Sequence, residues 1–370
     1  MKGNRITLGD IAKRVGVTKM TVSRYITTPE KVAKSTGQKI QAVIDEFGFI
    51  PNRAPVLLAQ ANTKTIGLTV SSFSNLLFSD LIDGAEARAR QAGYEIMLAH
   101  TGYRMEEEER KVTQLMSYQV DAMILTDSVH TPLTLKNLKM SNIPVVELMS
   151  VIDHPIDMNI GYNHKKIAYA AIKGLINSGR RNIMYLTARM DTRTMDRQEG
   201  YLTALREYGL EPHIYGSEAP SNFTIGAETM RKALMEFPQV DAVFCTNDDV
   251  AIGAMIACIE QGVRIPDDLS ILGYNGLNIG NTTIPKLTSI RTARYDMGKS
   301  AVELILMRLH NDHTPDTHME LTPMLSLGQT LTMEESQAIS RHFDTLYALK
   351  MPQFPSLDEM HKRSGRRRLS

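Results

Sequence analysis

The chain has 370 residues, 42% hydrophobic and 22% charged, with a formal net charge of +1, which is ordinary for a globular protein of two or three compact units. Its N-terminus lacks an apolar core of signal-peptide length, and no uncharged apolar run of about 18 residues follows, so a membrane span is excluded and a cytoplasmic location expected. The charge is unevenly spread: residues 1–62 carry ten Lys/Arg against four Asp/Glu, which leaves −5 on the remainder and predicts a polyanion partner for the basic head alone.

In chain order, Thr7 is a good N-cap with Asp10 three residues on, and Leu8, Ile11, Ala12 and Val15 recur at helical spacing. Gly16-Val17 breaks that helix. Thr18 caps a second one, from Lys19 to about Ile26, with Val22, Tyr25 and Ile26 facing inward and Lys19, Met20, Ser23 and Arg24 on the other side. Ser35, with Gln38 at the capping-box position, opens a third helix whose stripe is Ile40, Val43, Ile44 and Phe47. Two short helices across a tight Gly turn, with a third in support, form a helix-turn-helix whose second helix suits the major groove. A generic three-helix bundle with a solvated polar face is the plain alternative. Residues Asn52 to Ala61 are too few for a stable isolated helix, and Pro55 falls in the first turn if Asn52 caps it.

From Thr65 the pattern becomes short apolar runs alternating with amphipathic stretches. Strands are predicted at 66–70, 95–100, 122–126, 145–149, 182–187, 242–246 and 270–274. Continuous β-rich runs separated by helices imply parallel sheets covered on both faces, with ligands at the strand C-termini. The EEEER run at 106–110 reads as a solvated helix face, and Asp248-Asp249 as helix-start capping residues. GYNGLNIG lacks GxGxxG spacing, the histidines include no HExxH, and Cys245 and Cys258 read as free buried thiols. No nucleophile or acid–base pair announces itself, so no enzyme, cofactor or metal is expected.

The stretches ITLGDIAKRVGVTKMTVSRYI and IDEFGFIPNRA closely resemble the DNA-binding head of the LacI/GalR repressor family. CTNDDVAIGA, VRIPDDLSILGYN and PKLTSI extend the resemblance to about residue 333. VTKMTVSR, IPVVELM, VFCTNDD and GYNGLNIG are especially similar to the gluconate- and idonate-type repressors within it. The resemblance implies a mixed α/β chain: a helix-turn-helix head and hinge helix over 1–62 and a periplasmic-binding-protein-like domain over 63–333; the tail from 334 to 370 departs from the family pattern and reads either as a short helix followed by a disordered basic end or as a lineage-specific contact. The domain would hold two doubly wound α/β subdomains, one over 64–162 resuming at 291–320, the other over 163–290 with a return at 321–333. Lys19 and Met20 would read bases with Ser23 and Arg24 beside them; Lys19 suits a guanine edge and Met20 a thymine methyl. Thr7, Thr18, Thr21 and Asn52 would contact phosphates, and Leu58 would wedge the minor groove.

For the ligand cleft, the resemblance implies Ser71, Ser72, Asn75 and Phe78 on one side. On the other it implies Arg197, Asn247, Asn275 and Arg294, with Arg193 and Glu147 as looser assignments. Asn275 stands where sugar-sensing relatives keep an aspartate. An amide in place of a carboxylate, plus added arginines, favours an anionic ligand, and the expected effector is a sugar acid such as gluconate or its phosphate. The expected partners are a pseudo-palindromic double-stranded DNA operator, that small molecule, and a second copy of the chain, with a higher oligomer open. A cytoplasmic sugar-binding or sugar-processing protein with an incidental basic head is the competing reading.

Overall fold

In a computed structural model of the chain, residues 6–50, 62–310 and 318–347 are described. The chain divides into two compact units, Met1–Thr63 and Lys64–Ser370.

The first unit holds helices α1 (Leu8–Val15), α2 (Lys19–Thr27) and α3 (Lys34–Phe47). Gly16 ends α1 in the left-handed region (φ 79°), which an L side chain would resist, and so turns the chain into α2. Ile11, Ala12, Val22 and Ile40 are buried, with Leu8, Val15, Tyr25, Ile26, Val43, Ile44 and Phe47 packed around them, as the periodicity predicts. The third helix differs at its start. It opens at Lys34 after Ala33, whose carbonyl accepts the Thr36 and Gly37 amides, so Ser35 lies inside the first turn and caps nothing.

The second unit contains two six-stranded sheets. In the first lobe, β1 (Thr65–Val70), α4 (Leu77–Gln91), β2 (Glu95–His100), α5 (Met105–Ser117), β3 (Ala122–Leu125), α6 (Pro132–Ser141), β4 (Val145–Ser150) and β5 (Met158–Tyr162) follow in order. The second lobe continues with α7 (His164–Asn177), β6 (Ile183–Ala188), α8 (Thr192–Glu207), β7 (His213–Ser217), α9 (Phe223–Glu236), β8 (Ala242–Cys245), α10 (Asp248–Glu260), β9 (Ser270–Asn275) and β10 (Thr288–Arg291). Then come α11 (Arg294–Leu309), β11 (His318–Glu320), β12 (Met324–Ser326) and α12 (Met333–Tyr347). The sheet orders are β11-β5-β4-β3-β1-β2 and β12-β10-β9-β8-β6-β7. All pairings are parallel except the β10–β12 pair.

Each sheet is covered on both faces, as wholly apolar strands require. In the first, Ile66, Leu68, Ile124, Val146 and Leu148 meet α4 and α11, while Met123, Leu125 and Val145 meet Val112, Leu115 and Leu138 of α5 and α6. Helices α4 and α11 lie so close that a Cβ on Gly84 would fall 2.0 Å from the Tyr295 carbonyl oxygen. The chain passes between the lobes three times: from β5 to α7, from β10 to α11, and from β11 to β12.

The strands β5, β7, β10, β11 and β12 were not among those predicted. Residues 334–347 belong to α12, the short helix that the sequence left open at the start of the tail. That helix buries Ile339 and Phe343, packs Ile339 onto Gly174 of α7, and anchors Glu335 on Arg180 at 2.5 Å. Residues 348–370 lie outside the described residues, as do Asn52, Pro55 and Leu58. No described helix is long and apolar enough to cross a membrane.

Candidate functional site

The polar face of α2 is built from its first turn. The Thr18 hydroxyl accepts the Thr21 amide at 3.2 Å and meets the Thr21 hydroxyl at 2.9 Å, fixing the N-terminus. Val22 is buried beneath, which turns Lys19, Met20 and Arg24 to solvent, with Thr21 and Ser23 half-buried beside them. Met20 is 69% exposed, an apolar side chain with no core to enter. Lys19 lies over Gly9 of α1, where a Cβ would come within 2.7 Å of its Cε. Thr7 is differently employed from the phosphate contact implied for it. Its amide and hydroxyl both donate to Asp10 Oδ2, at 2.9 and 2.7 Å, so the hydroxyl proton is already used within α1. Those bonds hold the Asp10 carboxyl below its ordinary pKa.

In the second unit most candidate residues lie near the strand C-termini, and of them Arg193 lines the cavity found between the lobes. That cavity, of about 380 Å³, is lined by Tyr103, Arg104, Glu108, Asp127 and Ser128 from the first lobe and by Met190, Asp191, Thr192 and Arg193 from the second. Ser71, buried at the end of β1, donates to Asp127 Oδ1 at 2.7 Å, and Thr101 donates to Asp127 Oδ2 at 2.9 Å. Ser72 caps the turn below by accepting the Asn75 amide at 3.1 Å. Asn75 Nδ2 donates to the Tyr103 hydroxyl at 3.2 Å, and the Tyr103 ring lies 3.8 Å under the Arg189 guanidinium of the opposite lobe.

Arg193 crosses the cleft to donate to the Thr126 carbonyl at 3.2 Å. One turn on, Arg197 donates from Nε to the Arg193 carbonyl at 3.0 Å and from Nη1 to the Thr246 carbonyl, with its guanidinium 4.4 Å from the centre of the Tyr274 ring. Among the described residues Arg197 makes no ion pair with a carboxylate. Asp191 caps α8 through the Thr194 amide at 2.9 Å; burial opposes its charge, but Arg193, Arg197 and Arg189 hold the carboxyl well below the usual range.

Asn247 Nδ2 donates to Ser221 at 3.0 Å, and its Oδ1 is buried with no partner among the described residues. Asn275 ends β9 at φ 107°, a left-handed conformation held in place because Arg294 Nη1 grips its carbonyl. Arg294 also donates to Asp80 of the first lobe at 2.7 Å.

Three sequence expectations change. Phe78 is packed in the first-lobe core at 1% exposure, and the exposed aromatic of that stretch is Phe73, stacked on His100. Asp248 is no cap: it accepts the Leu277 amide at 2.6 Å and the Ser289 hydroxyl at 2.5 Å, and burial raises its pKa to about 7. Glu147 stands apart from the arginines. It is bonded to His130 Nε2 at 3.0 Å and to the Ile156 amide at 2.5 Å, and His130 Nδ1 meets Glu108 at 2.6 Å.

Sequence reasoning passed over Tyr103, Glu108, Asp127, Arg189 and Asp191. Asp127, Arg189 and Asp191 each follow a predicted strand within a few residues, and that position was the available signal. A larger open groove of about 590 Å³ between α7 and α8 has Lys165 and Lys166 on its wall. Both are ion-paired, to Glu199 and Glu320, and the third cation on that wall, Arg206, is exposed to solvent, unlike the buried arginines of the cleft.

Residues 7–52 match the family model described as bacterial regulatory proteins, lacI family, and residues 63–323 match periplasmic binding proteins and sugar binding domain of LacI family. The chain is 41% identical over 333 residues to the HTH-type transcriptional regulator GntR of Escherichia coli, covering 90% of this chain and 98% of the relative. It is 40% identical to the regulator IdnR of the same organism, covering 90% and 100%. Among solved structures, a LacI family transcriptional regulator from Silicibacter pomeroyi superposes with a TM-score of 0.82 at 26% identity, covering 88% of this chain and 99% of that one.

Proposed function

Because this chain belongs to the LacI family of bacterial regulatory proteins, we propose that it is a cytoplasmic repressor of sugar-acid catabolism, released from its operator by a polyhydroxy acid. In this reading α2 lies in the major groove, where Lys19 and Met20 read base edges and Ser23 and Arg24 flank them. Thr18 and Thr21, at the N-terminus of the helix, are placed for phosphate.

The observation that carries the ligand assignment is Arg197. The residue is 6% exposed, and its side-chain hydrogen bonds go to the Arg193 and Thr246 carbonyls while the guanidinium lies on the Tyr274 ring. Asp191 is shared among Arg189, Arg193 and Arg197, which leaves positive charge that a carboxylate entering the cleft offsets through charge-assisted bonds. The orphan Oδ1 of Asn247 asks for a donor, which a ligand hydroxyl provides. The names of the GntR and IdnR relatives agree with gluconate-type acids.

Two copies acting together are needed to read a pseudo-palindromic operator. The side chains of Phe73, Leu76 and Leu98, and of Ile256 and Ile259 on α10, are apolar and exposed, which favours self-association through those faces.

Calorimetric titration with gluconate, idonate, 6-phosphogluconate and neutral aldoses tests the ligand class. Acids are expected to bind and to lower affinity for DNA selected from a random pool. Tighter binding of the neutral aldoses overturns the assignment.

A further inference from the structure

The cleft contains a carboxylate that neither the resemblance nor the arginine cluster accounts for. Glu108 sits on α5 four residues before Val112 and seven before Leu115, on the stripe that packs against the first sheet, and it is 1% exposed. Its Oε2 is held by His130 Nδ1 at 2.6 Å, and His130 Nε2 is held in turn by Glu147 at 3.0 Å. Glu147 spends its other oxygen on the Ile156 amide. Glu108 Oε1 has nothing: it is buried and lacks a hydrogen-bond partner among the described residues. Glu108 also lines the 380 Å³ cavity whose far side carries Arg193.

A buried carboxylate oxygen without a donor is expensive, and native structures leave few such groups unless a ligand or water completes them. The donor's chemistry is limited by the neighbours. Arg104 and Arg193 line the same cavity with Asp127 and Asp191, and those two carboxylates are already bonded to Ser71, Thr101, Thr194 and the arginines, so the donor that Glu108 Oε1 lacks is supplied by a neutral hydroxyl without adding charge beside the arginines.

We propose that Glu108 is a hydroxyl-binding residue of the ligand cleft. Its Oε1 accepts a hydrogen bond from the ligand while His130 fixes Oε2, so a polyhydroxy acid lies with hydroxyls toward α5 and its carboxylate toward Arg193 and Arg197. The inference rests on the polyhydroxy-acid reading given above, and it adds both a specificity residue and a direction for the ligand. Across the second lobe the binding groups are cationic, whereas on α5 the group is an acceptor, so a ligand that is only an anion uses half of the site.

The test is calorimetric titration of the full-length wild type and the Glu108→Leu variant with gluconate and its single-deoxy analogues. Gluconate affinity is expected to fall about tenfold or more in the variant. One deoxy analogue is expected to bind both proteins equally, because the hydroxyl that Glu108 receives is missing from it. Equal gluconate affinity in the two proteins, or the same loss for every analogue in both, overturns the proposal. If the leucine variant fails to fold, Glu108→Gln keeps a carbonyl acceptor, and a smaller loss confined to the same hydroxyl is the supporting result. If the wild type prefers neutral aldoses, the acid reading fails while the deoxy-aldose comparison still decides the role of Glu108. If no polyhydroxy compound binds, both fall.

Discussion

Replacing His130 by alanine removes the cation shared by two buried carboxylates, and its cost follows from the local geometry. The imidazole is 3% exposed, with Glu108 at 2.6 Å and Glu147 at 3.0 Å. Burial alone would lower its pKa, but the hydrogen bonds it donates to both carboxylates outweigh that and hold it at about 9, against an ordinary 6.5. This preference for the charged form corresponds to about 3 kcal/mol, in line with the roughly 3–5 kcal/mol lost when a buried pair loses one partner. Because the folded pKa is raised, the stabilisation is complete below the unfolded value near 6.5 and disappears as pH rises through about 9. Glu108 acts in the same sense: burial raises its pKa, so ionising it in the folded protein lowers stability above 4.5. Scanning calorimetry should therefore show the melting temperature of the second unit falling between pH 7 and 9.5, by roughly 4–5 °C for a loss of this size in a unit this large. His130→Ala should melt lower at pH 7 by a similar amount and show a flatter profile over that window. A variant that melts within a degree of wild type at pH 7, with the same pH profile, would refute this account of the triad.

Three further outcomes are expected. Arg197→Met should abolish detectable binding of gluconate-type acids in titration while leaving binding to selected DNA intact in gel shifts, since α2 is untouched; retained acid binding would remove the cation from the mechanism. Met20→Ala and Lys19→Ala should each relax the preferred base at a different position of DNA selected from random sequence, at a cost of about 1–3 kcal/mol per lost base contact; an unchanged consensus would place base reading elsewhere. Gly84→Ala puts a Cβ 2.0 Å from the Tyr295 oxygen, so α4 and α11 must part, and the second unit should lose about 1–3 kcal/mol in denaturant titration.

What could be seen in the sequence follows from how local each signal is. The head was legible because Thr7 with Asp10, Gly16, and Thr18 with Thr21 set its geometry over three or four residues. The buried parallel strands were legible because every residue of IMYLTA or AVFC lies inside and is apolar or nearly so. Strand β7 escaped because HIYGS lies at a sheet edge and is only half buried on alternate residues, and β11 and β12 because three residues carry no period. Around the cleft, Arg193 and Arg197 could be placed by resemblance, but the Arg189–Tyr103 contact joins residues of different lobes. Glu108 was hidden within EEEER, which reads as solvated as a block. Only its spacing to Val112 and Leu115 separates it from Glu106 and Glu107, and no spacing announces that His130 comes to meet it.

The ligand cleft also contains the contacts that hold the two lobes in their present arrangement. Arg193 bonds the Thr126 carbonyl, Arg189 covers Tyr103, and Arg294 joins Asp80 to the Asn275 carbonyl. Beneath them His164 is fully buried, and burial pushes its pKa well below 6.5, so it is neutral. It donates from Nε2 to the Met149 carbonyl at 3.2 Å, which leaves Nδ1 to accept from the Tyr274 hydroxyl at 2.7 Å. Tyr274 in turn lies under Arg197. A carboxylate that draws Arg193 toward itself competes with a bond spanning the lobes, so its affinity must differ between lobe arrangements. That difference in affinity is what linkage requires of an effector, and a ligand whose contacts were the same in both arrangements, however tightly bound, would lack it.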